Sequence, residues 1–177
     1  MVSAVGARIL GIDPGSRATG YAVVELVGQT ARSLEHGVIR VPVTEALPLR
    51  LARLHAALLE IVRIHRPTEV AIEEVFTARN ARAALVLGHA RGVLLLAAST
   101  AECEIHEYAA RSVKKAIVGY GQADKEQVAQ MVARLLNLQH VPAQDAADAL
   151  AIALCHAHTR QFRRSVERGE ARQRAAE

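Results

Sequence analysis

The 177 residues read as one α/β domain built on a mixed sheet. Two observations predict this. Three strand-like segments follow one another at the start, and from residue 47 onward short strands alternate with helices. Neither an internal repeat nor a second domain is visible.

Residues 8–13 (Arg-Ile-Leu-Gly-Ile-Asp) form a short apolar run that stops at Asp13-Pro14-Gly15, a strong turn signal. Thr19 to Leu26 and Ser33 to Val41 are rich in β-branched residues and complete an antiparallel meander. From Leu47 to His65, Leu51, Leu54, Leu58 and Ile61 recur at helical spacing, ending before Pro67. Glu69 to Val75 is a fourth strand and Cys103 to Glu107 a fifth. Asn80 to Ser99 is helical and apolar on nearly every side, as in a helix sandwiched in a core or buried between subunits. Three further helices span Ala109 to Val118, Lys125 to Leu138 with Asp124 as its cap, and Gln144 to His158.

Hydrophobic residues make up 51% of the chain and aromatics only 3%, which predicts a core of packed aliphatic side chains. The longest apolar run, Ala149 to Cys155, is far short of the roughly 20 residues that span a bilayer. The first eight residues lack a charged segment followed by an apolar one. No membrane partner and a cytoplasmic protein are therefore expected. Cys103 and Cys155 lie far apart in apolar segments and read as buried free thiols. Net charge is +4 and uneven: beyond residue 159, six arginines face three glutamates, leaving +1 on everything before. Residues 159–177 are thus expected to be a disordered basic tail on a 1–158 domain, and only weakly suggest a polyanion partner.

The acidic residues carry the chemistry. Asp13 ends the first strand; alone it reads as a turn cap. Glu73 shares a strand face with Ala71 and Val75, where an unpaired carboxylate is costly unless that face is solvated. Asp145 and Asp148 are the sharpest pair. Three apart on one helix, they project together from an Ala- and Leu-rich stretch with no basic residue until His156. Like charges at this spacing repel; the helix N-terminus relieves part of that, and a divalent cation removes it. Four carboxylates form a hard, all-oxygen donor set that suits Mg²⁺ or Mn²⁺ and not zinc. Two such ions could clamp a phosphodiester displacement.

The strings Gly11-Ile12-Asp13-Pro14-Gly15-Ser16-Arg17, Ala71-Ile72-Glu73-Glu74-Val75-Phe76, Leu87-Gly88-His89-Ala90-Arg91-Gly92, Glu107-Tyr108-Ala109-Ala110 and Asp145-Ala146-Ala147-Asp148-Ala149-Leu150-Ala151 occur in that order. Together they resemble the RuvC family of Holliday junction resolvases over roughly residues 8–158. The resemblance implies a ribonuclease H-like fold, a five-stranded mixed sheet of antiparallel meander plus parallel strands with helices on both faces. It implies a Mg²⁺-dependent endonuclease acting in DNA recombination and repair, a homodimer that places two symmetric nicks in a four-way DNA junction. It also implies partnership with a RuvA–RuvB branch-migration complex. The family's four acidic catalytic positions match Asp13, Glu73, Asp145 and Asp148, with Asp145 the most replaceable because some members carry His there. Its junction-probing aromatic matches Phe76, and its basic pair matches Lys114 and Lys125.

Charge patterning agrees. No acidic residue falls between Glu74 and Glu102, where Arg79, Arg82 and Arg91 accumulate, and Arg111, Lys114 and Lys115 form a second basic cluster. Such clusters can grip phosphates that an acidic site would repel. Lys125 could support the nucleophile or the scissile phosphate, and an exposed Phe76 ring could stack on an unpaired base. The eight histidines are scattered without metal spacing and read as surface or satisfied core residues. Two rivals are weaker. An RNA-processing nuclease such as the YqgF family has a similar opening but is disfavoured by the Phe76 segment and Lys125. An actin-like phosphotransferase would need a second lobe, for which there is no room. A pure junction-binding module gives no reason to gather four carboxylates.

Overall fold

The computed structural model describes residues 6–74 and 80–174. Five strands form one sheet: β1 (Ala7–Asp13), β2 (Ala18–Val27), β3 (Thr30–Arg40), β4 (Glu69–Glu73) and β5 (Glu104–Tyr108). Their order is β3-β2-β1-β4-β5. β1, β2 and β3 are antiparallel neighbours, as short turns require, whereas β4 and β5 run parallel to β1 and are reached by helical crossovers. The helices are α1 (Leu47–His65), α2 (Ala81–Thr100), α3 (Ala110–Val118), α4 (Lys125–Leu135) and α5 (Gln144–Arg174).

Strand alternation divides the core in two. Ile9, Ala22, Val24 and Ala71 face one way and meet Val113, Val128, Val132 and Leu150 of α3, α4 and α5. Leu10, Ile12, Val23, Val70 and Ile72 face the other way and meet Leu54, Leu58 and Ile61 of α1 and Leu94 of α2. Helices thus cover both faces. Cys103 and Cys155 are buried free thiols.

Two glycines set how close α5 can come. A Cβ on Gly11 would stand 2.2 Å from the carbonyl oxygen of Ala149, and one on Gly20 only 1.8 Å from that of Asp145. The helix backbone therefore rests directly on β1 and β2, and Ala146, Ala147, Ala149 and Leu150 are buried almost completely beneath it. By length and composition α2 could cross a bilayer, yet it packs on the sheet through Ala90, Leu94, Ala97 and Ala98. Its outer face leaves Leu85 and Leu96 exposed.

The C-terminal segment corrects a sequence expectation. In place of a disordered tail from residue 159, α5 runs on to Arg174. A helix already nucleated in the core extends without a new nucleation cost, which composition alone cannot register. Arg160 Nε donates to both oxygens of Glu69 at 2.7 and 3.1 Å, and Gln161 Nε2 donates to the Gln29 carbonyl at 3.2 Å. Helix α4 stops three residues earlier than its apolar spacing suggests, and Asn137 adopts a left-handed φ of 50° just beyond.

Alanine at Gly20 is expected to push α5 off the sheet, costing about 1–3 kcal/mol as overpacking does. Urea denaturation measures it; wild-type stability in Gly20→Ala would contradict the close approach.

Candidate active site

The sheet brings the first two carboxylates together. Asp13 ends β1 and Glu73 ends β4; these strands are parallel neighbours in which Ile12 pairs with Ile72. Both side chains therefore emerge at the same edge of the sheet. Asp13 also pairs with Gly20 across β2, the glycine over which the first turn of α5 lies. That contact carries Asp145 and Asp148 to the same edge.

Asp148 is held from two sides. Lys125 Nζ donates to its Oδ2 at 2.8 Å, and Gln144 Nε2, one turn earlier on α5, donates to its Oδ1 at 3.1 Å. Lys125 opens α4, whose start is fixed by a capping box. Asp124 accepts from the Gln127 backbone, and the Gln127 side chain accepts from the Asp124 backbone. Lys114 of α3 donates to the Ala123 carbonyl at 2.7 Å, tying that loop to the site. Asp13, Glu73, Asp148, Lys114 and Lys125 line one cavity of about 220 Å³, with Val113, Val128, Ala151 and Ile152 as its apolar wall. Asp145 is not among the lining residues; it stands farther off, close enough for its charge to raise the Asp13 pKa slightly.

The electrostatics show what this arrangement lacks. Burial, then the charges of Asp148 and Glu73, push Asp13 up to about 7, against the opposing pull of Lys125. Burial and Asp148 also raise Glu73, against Lys125 and Lys114. The hydrogen bond to Asp148, with the charges of Asp13 and Glu73, raises Lys125 and keeps it charged. One lysine in contact and a second nearby do not offset three converging carboxylates. Hard oxygen donors around a space of this size fit a divalent cation such as magnesium or manganese.

The basic residues singled out from the sequence are distributed unequally. Lys114 lines the cavity, while Arg82, Arg111 and Lys115 are exposed on α2 and α3. Arg91 is engaged within the protein: its guanidinium meets the Glu107 carboxylate and donates to the Glu73 carbonyl at 3.2 Å, bracing the strand end that carries Glu73. Phe76 and Arg79 lie outside the described residues. Sequence reasoning missed Gln144 as the second partner of Asp148, although its i,i+4 spacing was a readable signal. It also missed a histidine pair. His106 and His156 stack with ring centroids 4.2 Å apart, and together with Glu69 they place ligand atoms within 4.8 Å of one another, at the far end of β4. No local spacing announces that group.

A five-stranded sheet in this order, with carboxylates converging from its two central parallel strands and the last helix, defines a ribonuclease H-like nuclease. Residues 9–156 match the family model described as crossover junction endodeoxyribonuclease RuvC. The protein of that name from Magnetococcus marinus is 49% identical over 162 residues, covering 92% of this chain and 90% of its own. That from Acinetobacter baumannii is 52% identical over 150 residues, covering 85% and 82%. The solved Thermus thermophilus RuvC in complex with Holliday junction substrate superposes with a TM-score of 0.83 at 39% identity, covering 88% of this chain and 96% of that one. The chain belongs to the RuvC family of crossover junction endodeoxyribonucleases.

Asp13 generates a stability prediction. Its folded pKa of about 7 lies above the ordinary 3.8, so its favourable contribution is present below about pH 4 and is lost as pH rises through 7. With a chelator present, Asp13→Asn should therefore be more stable than wild type above about pH 7, on the order of 2 kcal/mol, with the gap closing toward pH 4. Thermal unfolding across that range measures it, and a pH-independent difference would contradict the assignment.

Proposed function

We propose that this chain resolves four-way DNA junctions as a homodimer, with Mg²⁺ as the working ion and Mn²⁺ able to replace it. The observation that carries the reading is the convergence of Asp13, Glu73 and Asp148 on one cavity, with Asp13 held only marginally ionised at neutral pH. Asp13, Glu73 and Asp148 would hold the ion or ions, and Asp145 would assist from the rim. Bound Mg²⁺ supplies Lewis-acid polarisation of a phosphoryl oxygen and a more acidic water. Lys125 keeps Asp148 aimed into the cavity and leaves its ammonium partly exposed, where it can meet a phosphate oxygen. Lys114 adds a second positive charge on the cavity wall. Both lysines offset the repulsion between acidic site and DNA backbone, and exposed Arg82, Arg111 and Lys115 extend that grip outward. By family resemblance, Phe76 probes the junction centre and a RuvA–RuvB complex delivers the junction, in the cytoplasm.

Paired nicks in a two-fold junction require two sites in one assembly. The exposed apolar face of α2, with Leu85 and Leu96, supports a self-complementary contact, because apolar surface of this kind gains by leaving water. In this reading residues 1–158 form the nuclease unit, and the helical extension lies outside it.

Asp148→Asn should lower nicking of a synthetic mobile junction more than about 100-fold, the upper end of what even outer-shell partners contribute. Junction binding should be retained, since a lost ligand charge weakens chemistry far more than backbone contacts. Normal Mg²⁺-dependent nicking by that variant would sink the assignment. Replacing Leu85 and Leu96 together with Glu should yield a monomer by sedimentation and uncouple the two nicks. An intact dimer would place the interface elsewhere.

A further inference from the structure

A second cluster of ligand-type side chains lies at the opposite end of β4 from Glu73, about 13 Å away at strand spacing. Glu69 opens β4, His106 lies on β5 and His156 on α5. β4 and β5 are paired so that Glu69 and Ala71 face Glu104 and His106. The turn of α5 above them supplies His156, only 3% exposed.

His156 is satisfied as a neutral ring. Its Nε2 donates to Glu69 Oε2 at 2.6 Å, and its Nδ1 accepts from Tyr108 Oη at 2.7 Å. His106 is not. Its Nε2 is buried without a hydrogen-bond partner, and the nearby Glu104 Oε1, 3.2 Å away, lies off hydrogen-bonding geometry. An orphaned imidazole nitrogen beside a stacked histidine and a carboxylate is a costly arrangement for packing alone. These atoms line a cavity of about 210 Å³, whose wall also carries Glu104 and Glu167 and, with opposing charge, Arg160, Arg163 and Arg164 of α5.

We propose that Glu69, His106 and His156 form a binding site for a zinc-like divalent transition metal, separate from the nuclease cage. Two imidazoles and a carboxylate are the donor set such ions prefer, in contrast to the all-oxygen set around Asp13. The ion takes the place of the proton between His156 Nε2 and Glu69 Oε2. That proton passes to Nδ1, Tyr108 Oη turns from donor to acceptor, and the number of bound protons is unchanged. Tyr108 is then the outer partner that fixes the ring, as metal-bound histidines require. Glu69 Oε1 stays on Arg160, its shorter contact, freeing Oε2. His156 Nε2 and Glu69 Oε2, 2.6 Å apart, must open by a little under an ångström while the His106 nitrogen, within 4.8 Å of both, moves in. Bonds of about 2.1 Å set tetrahedral ligand atoms about 3.4 Å apart. Glu104, exposed and already beside His106, is placed to supply a fourth ligand. Such an ion would clip α5 to the N-terminal ends of β4 and β5.

The test uses the full chain, stripped of metal and then supplied with excess Mg²⁺ to occupy the acid cage. Titration with Co²⁺ should give one equivalent per chain with the visible absorption of histidine ligation, displaced by Zn²⁺, and Zn²⁺ should raise the unfolding temperature by several degrees. His106→Gln should abolish both effects while retaining junction nicking, and Asp13→Asn should preserve both while losing nicking. Absence of a Co²⁺ equivalent, or its retention in His106→Gln, would overturn the proposal, as would its loss in Asp13→Asn. Should His106→Gln fold poorly, imidazole nitrogen resonances of the wild type decide. Zn²⁺ must shift His106 and His156 and leave the remaining histidines in place.

Discussion

Backbone-to-backbone contact between α5 and the β1–β2 pair is the constraint on which the site depends. Glycine at positions 11 and 20 leaves no side chain between strand and helix, so the carbonyls of Ala149 and Asp145 sit where a Cβ would otherwise stand. The alanine-rich face that follows, Ala146 to Ala157, is buried to a few per cent or less. Small residues on both partners determine the depth of the helix, and that depth brings Asp148 to the cavity that Asp13 and Glu73 line. Tight interiors cannot absorb such a contact elastically.

The same geometry creates an electrostatic conflict that the protein resolves only in part. Placing Asp13 against Asp148 and Glu73 in a largely desolvated position pushes it up to about 7, and Lys125, in contact with Asp148 alone, offsets this only in part. The protein alone is thus poorly matched to its own charges at neutral pH, a conflict that a divalent cation among these carboxylates would relieve. Lys125, Gln144 and the capping box at Asp124 orient Asp148 without adding a further negative charge. Stability is set aside at this edge of the sheet, while the two aliphatic cores on either side hold the scaffold.

The opposite end of β4 solves a comparable problem differently. Glu69 is buried too, but the hydrogen bonds from His156 and Arg160, and the Arg160 charge, outweigh burial and hold it below the usual carboxylate range. Arg160 belongs to the extension of α5 beyond residue 158. The basic C-terminal helix is therefore tied to the sheet at its base, where Arg160, Arg163 and Arg164 line the cavity beside Glu69 and not the one that Asp13 lines.

Much of this was legible in the residues themselves. Helix and strand spans, the Asp124 cap, the turn after Asp13 and the suspicious spacing of Asp145 and Asp148 are local properties, written within one or two turns of chain. The conjunction of Asp13 and Glu73 needed only the inference that their strands are neighbours. What depends on register and rotation was not legible. A separation of 87 positions conceals the contact of Glu69 with His156, and the engagement of Arg91 with Glu107 becomes apparent only once β4, β5 and α2 are packed. Helix continuation past residue 158 was hidden as well, because it follows from a core-anchored helix and not from the composition of the segment. Sequence determined which acidic groups stand out as candidates for the chemistry, since charge and periodicity are properties of neighbours along the chain. Tertiary structure decided that Asp148 lines the cavity while Asp145 stands apart, and which histidines meet, since those outcomes turn on ångström-scale approach between elements distant in sequence.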